Sequence, residues 1–181
     1  MDSLQLERCM NSDRYTFPIF EGVFPADMLP KQKLKNRPCG LIVNTDRSDK
    51  PGEHWVAFYI DMDGNVEYFD SYGFKPKLKL FQNFIKVNSD GEGFIWNAVQ
   101  LQGPFSSVCG QYCLFYLLHR SRNWKMQEIS GFFTKDRNHN DFLVNEFISD
   151  HFGLKTPISD TNFMLKQISR AFLPVPSSGK L

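Results

Sequence analysis

An α+β fold is predicted by three observations. Short runs rich in β-branched and aromatic residues cluster before residue 102, helical spacings dominate after it, and the stretch from Cys109 to about Arg122 is apolar around most of its circumference. With 181 residues, of which 41% are hydrophobic and 23% charged, the chain can bury one core and has little room for two. A single domain over 1–172 is expected, with a flexible tail at 173–181.

The elements follow in order. Leu4, Leu6, Cys9 and Met10 suggest a short N-terminal helix, whereas Tyr15 to Pro30, interrupted by Pro18 and Pro25, reads as irregular chain pinned by Phe17, Phe20 and Phe24. CGLIVNT from Cys39, HWVAFYI from His54 and NVEYFD from Asn65 are predicted strands, the last two joined by a hairpin turn at Asp61 to Gly64. FIWNAVQLQ from Phe94 is a further strand. Leu78, Phe81, Phe84 and Ile85 after Pro76 give a short amphipathic helix. The apolar helix from Cys109 is central, with Trp96 and Trp124 assigned to packing. Two more helices are expected, one over Phe142 to Ile148 after an Asn140 cap and one over Phe163 to Phe172 after a Ser159 or Thr161 cap.

Composition excludes several classes. The 21 lysines and arginines nearly balance 20 aspartates and glutamates, so the net charge of +1 argues against a coat for nucleic acid driven by bulk charge. The densest basic run, Lys31, Lys33, Lys35 and Arg37, is a solvated loop by default and a weak candidate for DNA contact. No apolar run approaches the roughly 20 residues that cross a bilayer, and the first residues are too polar for a secretory signal. Cys9, Cys39, Cys109 and Cys113 include no CxxC pair, so free thiols are expected and no metal site. Without a coiled-coil pattern, the default is a monomer.

Four residues could carry chemistry: His54 at the start of a strand, Asp70 at the end of the next, Gln102 after a third and Cys109 at the mouth of the buried helix. Each alone has an ordinary structural role, as a packing histidine, a turn aspartate, a solvent-facing glutamine and a small core thiol. Together they supply what thiol catalysis needs: a thiolate, a base that takes and returns a proton, and a donor for an oxyanion. Cys109 lies where the helix amides point outward, a position that favours the thiolate. The hairpin brings His54 and Asp70 to one end, so the carboxylate can orient the imidazole. Gln102, seven residues before Cys109, is close enough for its amide and the Cys109 N–H to share one oxyanion. Gly110 is expected to let a substrate backbone approach, Trp55 either to shield the His54 imidazole, to line the cleft or to pack in the core, and Cys113, one turn deeper, to pack.

EHWVAFYID, YFDSYGF and QGPFSSVCGQYC resemble the His-Trp strand, the acidic segment and the nucleophile block of the adenovirus-type cysteine proteases, the adenain-like family, which is distantly related to the proteases of ubiquitin-like modifiers. FEGVFPADMLP and CGLIVNT extend the resemblance over roughly the first 120 residues. It implies a central mixed sheet against the helix carrying the nucleophile, His54 as general base, Asp70 as its orienting acid, Cys109 as nucleophile and Gln102 as oxyanion donor. Asp70 stands where adenovirus enzymes usually have glutamate. The cysteine that receives their activating peptide has no counterpart between Phe74 and Gln102, so no covalent peptide cofactor is expected, and any activating peptide or DNA would act without that linkage. The pattern is most similar to proteases of Polinton or Maverick elements and related animal viruses.

The resemblance implies an endopeptidase that matures capsid or core proteins at glycine-containing sites, located in the virion or host nucleus, or otherwise inside the cell. The alternatives are an isopeptidase for ubiquitin-like modifiers and a non-catalytic relative that binds a partner or DNA.

Overall fold

Alternation along the middle strands decides the layering. In the computed structural model, which describes residues 1–91 and 93–154, a five-stranded sheet runs in the order β1 (Phe20–Pro25), β2 (Cys39–Asn44), β3 (Trp55–Ile60), β4 (Val66–Phe69), β5 (Phe94–Trp96). The outer pairs are parallel and the inner ones antiparallel, so the sheet is mixed. Val43 pairs with Val56, Leu41 with Phe58 and Cys39 with Ile60, and these side chains share one face. Ile42 opposite Ala57, together with Tyr59, points to the other. Both faces are covered, so β2 is buried along its whole length and β3 everywhere but Trp55.

One face receives α2 (Lys79–Asn88) through Phe81, Phe84 and Ile85, with Phe58 and Phe81 meeting edge to face. The other receives α3 (Cys109–Arg120), flanked by α1 (Ser3–Ser12), α4 (Met126–Ser130) and α5 (Arg137–His151). Tyr112, Leu114, Tyr116, Leu117 and Leu118 of α3 are fully buried, each contributing on the order of 1.5–3 kcal/mol of hydrophobic stabilisation. The helix lies tight on the sheet at Gly40, where an added Cβ would stand 2.8 Å from Leu117 Cδ2. Beyond the C-terminus of α3, Arg122 donates to Asp13 Oδ2 at 2.6 Å and His151 lies 3.1 Å from the same oxygen, so a buried ion pair joins the ends of α1, α3 and α5.

Several expectations change. Phe20–Pro25, expected to be irregular, is an edge strand parallel to β2. Pro25 closes it where a missing N–H is tolerated, and the register shift between Phe20 and Gly22 accommodates the glycine at φ 132°. The strand at Phe94 ends at Trp96. Asn140 does not cap α5: Asp136 does, accepting the His139 N–H at 3.0 Å, and Asn140 lies inside the helix. Helix α4 has five residues, too few to show a period. The helix expected after Ser159 or Thr161, the boundary at 172 and the tail lie outside the described residues.

Candidate active site

His54 precedes β3 by one residue and Asp70 follows β4 by one, and the antiparallel pairing of Ala57 with Phe69 puts both at the same end of the sheet. His54 Nε2 donates to Asp70 Oδ1 at 2.9 Å. Asp70 is 3% exposed and firmly held. Its Oδ1 also accepts the Tyr72 N–H at 2.8 Å, while Asn97 grips its backbone by accepting the Asp70 N–H at 3.0 Å and donating to the Asp70 carbonyl at 2.7 Å. The turn after it requires glycine, because Gly73 has φ 73° and a Cβ there would stand 2.6 Å from the Val99 backbone.

The first residue of α3 is Cys109. No side chain caps this end of the helix and its first turn has no acidic residue, so the first N–H groups stay available to an anion. His54 lies close enough to Cys109 to act on its thiol, and with Nε2 engaged by Asp70 the ring nitrogen left to face the sulfur is Nδ1. Burial alone would raise the Cys109 thiol. The His54 hydrogen bond and charge, with the N–H groups of Trp55 and Gly110, outweigh burial and hold it below the ordinary thiol range. Burial likewise opposes the His54 cation, but hydrogen bonds to Asp70 and Cys109 and their charges push it up to about 9. Both shifts act in one direction, toward a thiolate beside an imidazolium.

The other three thiols differ. Cys9 is pushed up to about 11 and Cys39 to about 12, in both cases mainly by burial, and Cys113 is raised well above the usual range for the same reason. All four cysteines are free. Among the described residues no group of three or more His, Cys, Asp or Glu is placed to hold a metal ion, and no helix is long and apolar enough to cross a membrane.

Gln102 is 1% exposed. Its Oε1 accepts from Ser71 Oγ at 2.6 Å and its Nε2 donates to Ser106 O at 2.8 Å, which leaves the second amide hydrogen for another acceptor. The Gln102 N–H donates to Ser71 O at 3.0 Å, so the glutamine is tied to the turn that follows Asp70.

The remaining sequence candidates fall differently. Trp55 lines a cleft of about 610 Å³ with Val23, Asn44 and Arg47, and its indole N–H donates to Met1 O at 3.2 Å. The ring packed against His54 is Tyr72, with centroids 5.0 Å apart, a residue the sequence offers only as part of a turn. Gly110 faces inward: a Cβ there would meet Leu6 at 3.2 Å and Trp55 at 3.5 Å, so the missing side chain makes room for α1 rather than for a substrate backbone. In the basic run, Lys33 and Arg37 both pair with Asp90, and Arg37 donates to Asn88 O at 2.9 Å. The run is therefore not a continuous face of free cations, because an acid 53 residues away in the chain folds onto it.

The chain is similar to proteases of large DNA viruses and adenoviruses. The chain is similar to a cysteine protease of African swine fever virus, 34% identical over 104 residues that cover 50% of this chain and 38% of that protein. The same viral protein from another isolate is named a SUMO-1 cysteine protease. It is also similar to the protease of bovine adenovirus C, 34% identical over 123 residues, 59% of this chain and 60% of that protein, and to the protease of human adenovirus B, 31% identical over 134 residues, 65% and 59%. No family model matches. The fold is shared with the crystal structure of the African swine fever virus protease, at a TM-score of 0.56 and 21% identity over 78% of this chain and 64% of that one. The resemblance read from the motifs is thus borne out as homology, over a minor share of the swine-virus protein and about 60% of the adenovirus ones.

Proposed function

We propose that this homologue of the adenovirus-type proteases is a cysteine endopeptidase that cleaves viral or transposon precursor proteins at glycine-containing sites. The observation that carries the reading is the set Cys109, His54 and Asp70: one imidazole hydrogen-bonded to a buried carboxylate through Nε2 and acting on a thiol whose ionisation it favours. Sequence similarity to viral cysteine proteases supports the reaction class.

In the proposed reaction the Cys109 thiolate attacks the scissile carbonyl carbon, and the C=O electron pair moves to oxygen. The free Gln102 amide hydrogen and the N–H groups opening α3 stabilise that oxyanion. As the carbonyl re-forms, the C–N bond breaks and the His54 imidazolium gives its proton to the leaving amine, leaving a thioester. Water then attacks the thioester while His54 accepts its proton, the carboxylic acid departs, and the proton left on His54 restores the ion pair with the regenerated thiolate. Asp70 holds the ring throughout and stabilises its cationic form. The chain supplies nucleophile, base, orienting acid and oxyanion donor, so the reading calls for no metal or organic cofactor.

Incubation with a precursor polypeptide bearing Gly-Gly-containing segments, followed by mass spectrometry of the fragments, tests the proposal. Cleavage after glycine by the wild type and none by Cys109→Ala is the expected result; equal fragments from both would refute it. A second reading, removal of a ubiquitin-like modifier, is favoured by the name of the swine-virus relative. It predicts that a folded modifier conjugate is cut faster than an unstructured peptide with the same glycine sequence.

A further inference from the structure

Helix α5 has no member in the triad, yet its first turns reach the segment that carries Gln102. That segment is held on two sides. Toward the sheet, the Leu101 and Gln102 N–H groups both donate to Ser71 O, at 2.8 and 3.0 Å. Toward α5, Asn140 Nδ2 donates to Leu101 O at 3.1 Å and Asp141 Oδ2 accepts the Gly103 N–H at 3.0 Å. Two adjacent side chains thus grip the backbone groups immediately before and after Gln102.

The grip is itself fixed. Asn140 is fully buried, accepts the Thr134 N–H at 3.0 Å and donates to Thr134 O at 2.9 Å. Asp141, 9% exposed, has its Oδ1 2.9 Å from the hydroxyl of Tyr112, which lies three residues after Cys109 on α3. That hydroxyl is also 3.2 Å from Leu101 O, but its single proton favours the nearer, charged acceptor. The spacing is tight, since a Cβ on Gly103 would stand 2.7 Å from Asp141 Oδ2.

From this geometry we infer that Asn140 and Asp141 are positioning residues for the oxyanion side of the site, fixing from α5 the register of Gln102 against Cys109. The inference rests on the protease reading above. An oxyanion donor works only within a few tenths of an ångström of its place, and a misplacement of about 1 Å costs roughly 100-fold in rate. The hydrogen bonds of the pair run to Leu101, Gly103, Thr134 and Tyr112, so loosening them leaves the Cys109–His54–Asp70 chain in place. Acyl transfer and thiol reactivity therefore respond separately.

The test applies two assays to one preparation each of wild type, Asp141→Leu, Asp141→Asn and Gly103→Ala. Iodoacetamide counts sites with a reactive Cys109, and a fluorogenic Gly-Gly-aminocoumarin peptide reports turnover. For Asp141→Leu and Gly103→Ala, kcat per alkylatable site is expected to fall about 10- to 100-fold with KM within about twofold and the Cys109 alkylation rate unchanged. Asp141→Asn, which keeps an acceptor for the Gly103 N–H, recovers most of the loss. A merely structural role lowers the alkylatable fraction but leaves kcat per site at the wild-type value, and that result overturns the inference. A wild type that alkylates fast at Cys109 yet turns over no glycine peptide overturns the protease reading instead, and the inference with it.

Discussion

Cys109 and Cys113 lie one turn apart on α3, both buried, at 8% and 0% exposure. Burial raises both thiols, yet only Cys109 ends below the ordinary range. The difference is position along the helix. Cys109 meets His54, the Trp55 N–H and the uncapped helix start, whereas Cys113 is fully buried in the core and the charges of Cys109 and Asp70 oppose its ionisation further. A thiol is thus made easier to ionise by a partner and a helix end acting against burial, and four residues of displacement leave the same atom as packing.

Swapping sulfur for oxygen at each site separates the two thiols most strongly. Cys109→Ser is expected to lower peptide turnover by about 10,000-fold or more with little change in Tm. Cys113→Ser should keep turnover and lose about 1–3 kcal/mol of stability, because it buries a hydroxyl without an arranged partner. Equal losses of activity in steady-state kinetics would erase the distinction.

Removing the support behind His54 comes next. Asp70→Asn is expected to reduce kcat by about 1,000-fold, since the amide can favour the wrong ring tautomer, while Cys113 stays as unreactive as before. The pH dependence follows from the same pair. Because Cys109 is shifted down and His54 up to about 9, kcat/KM should rise as the thiol ionises, hold a plateau, and fall as pH passes about 9, where His54 loses the proton it must deliver. A profile that still climbs through that value would show the pair is not formed.

At the far end of α3 the chemistry is structural. Asp13, buried against Arg122 and His151, is held well below the usual carboxylate range: burial opposes the charge and the hydrogen bonds to both partners outweigh it. Its stabilisation is therefore present above about pH 4 and lost as pH falls. Asp13→Asn, which leaves Arg122 uncompensated, is expected to cost about 3–5 kcal/mol in denaturant titration at pH 7 with kcat per folded molecule unchanged.

How much was legible in the sequence follows the range of each interaction. The apolar run at Cys109, the β2 to β4 strands and the Asp61 to Gly64 turn are local patterns, and the structure has them where those patterns lie. The edge strand β1 was hidden by Pro25 and by Gly22, which break a strand pattern in isolation but are tolerated at an edge that pairs on one side only. Asn140 has the residue type of a cap and the job of a clamp. Its partner Leu101 is 39 residues away, and Asp141 reaches Gly103 across 38, so no local window could show either. Asn97, which fixes Asp70 across 27 residues, is hidden in the same way. His54, Asp70, Gln102 and Cys109 stand out as candidates because their order and flanking residues form motifs, and the structure pairs His54 with Asp70; Tyr72 does not stand out, because an aromatic after Asp-Ser looks like any turn.

The most direct measurement is iodoacetamide labelling of the folded chain from pH 5 to 9, with each cysteine followed by mass spectrometry and His54→Ala run in parallel. Fast labelling of Cys109 well below the free-thiol pKa of about 8.5, near-silence at Cys9, Cys39 and Cys113, and loss of the Cys109 advantage in His54→Ala are expected. Labelling of Cys109 that begins only near the free-thiol value, or is indifferent to His54→Ala, would contradict the Cys109–His54 pairing.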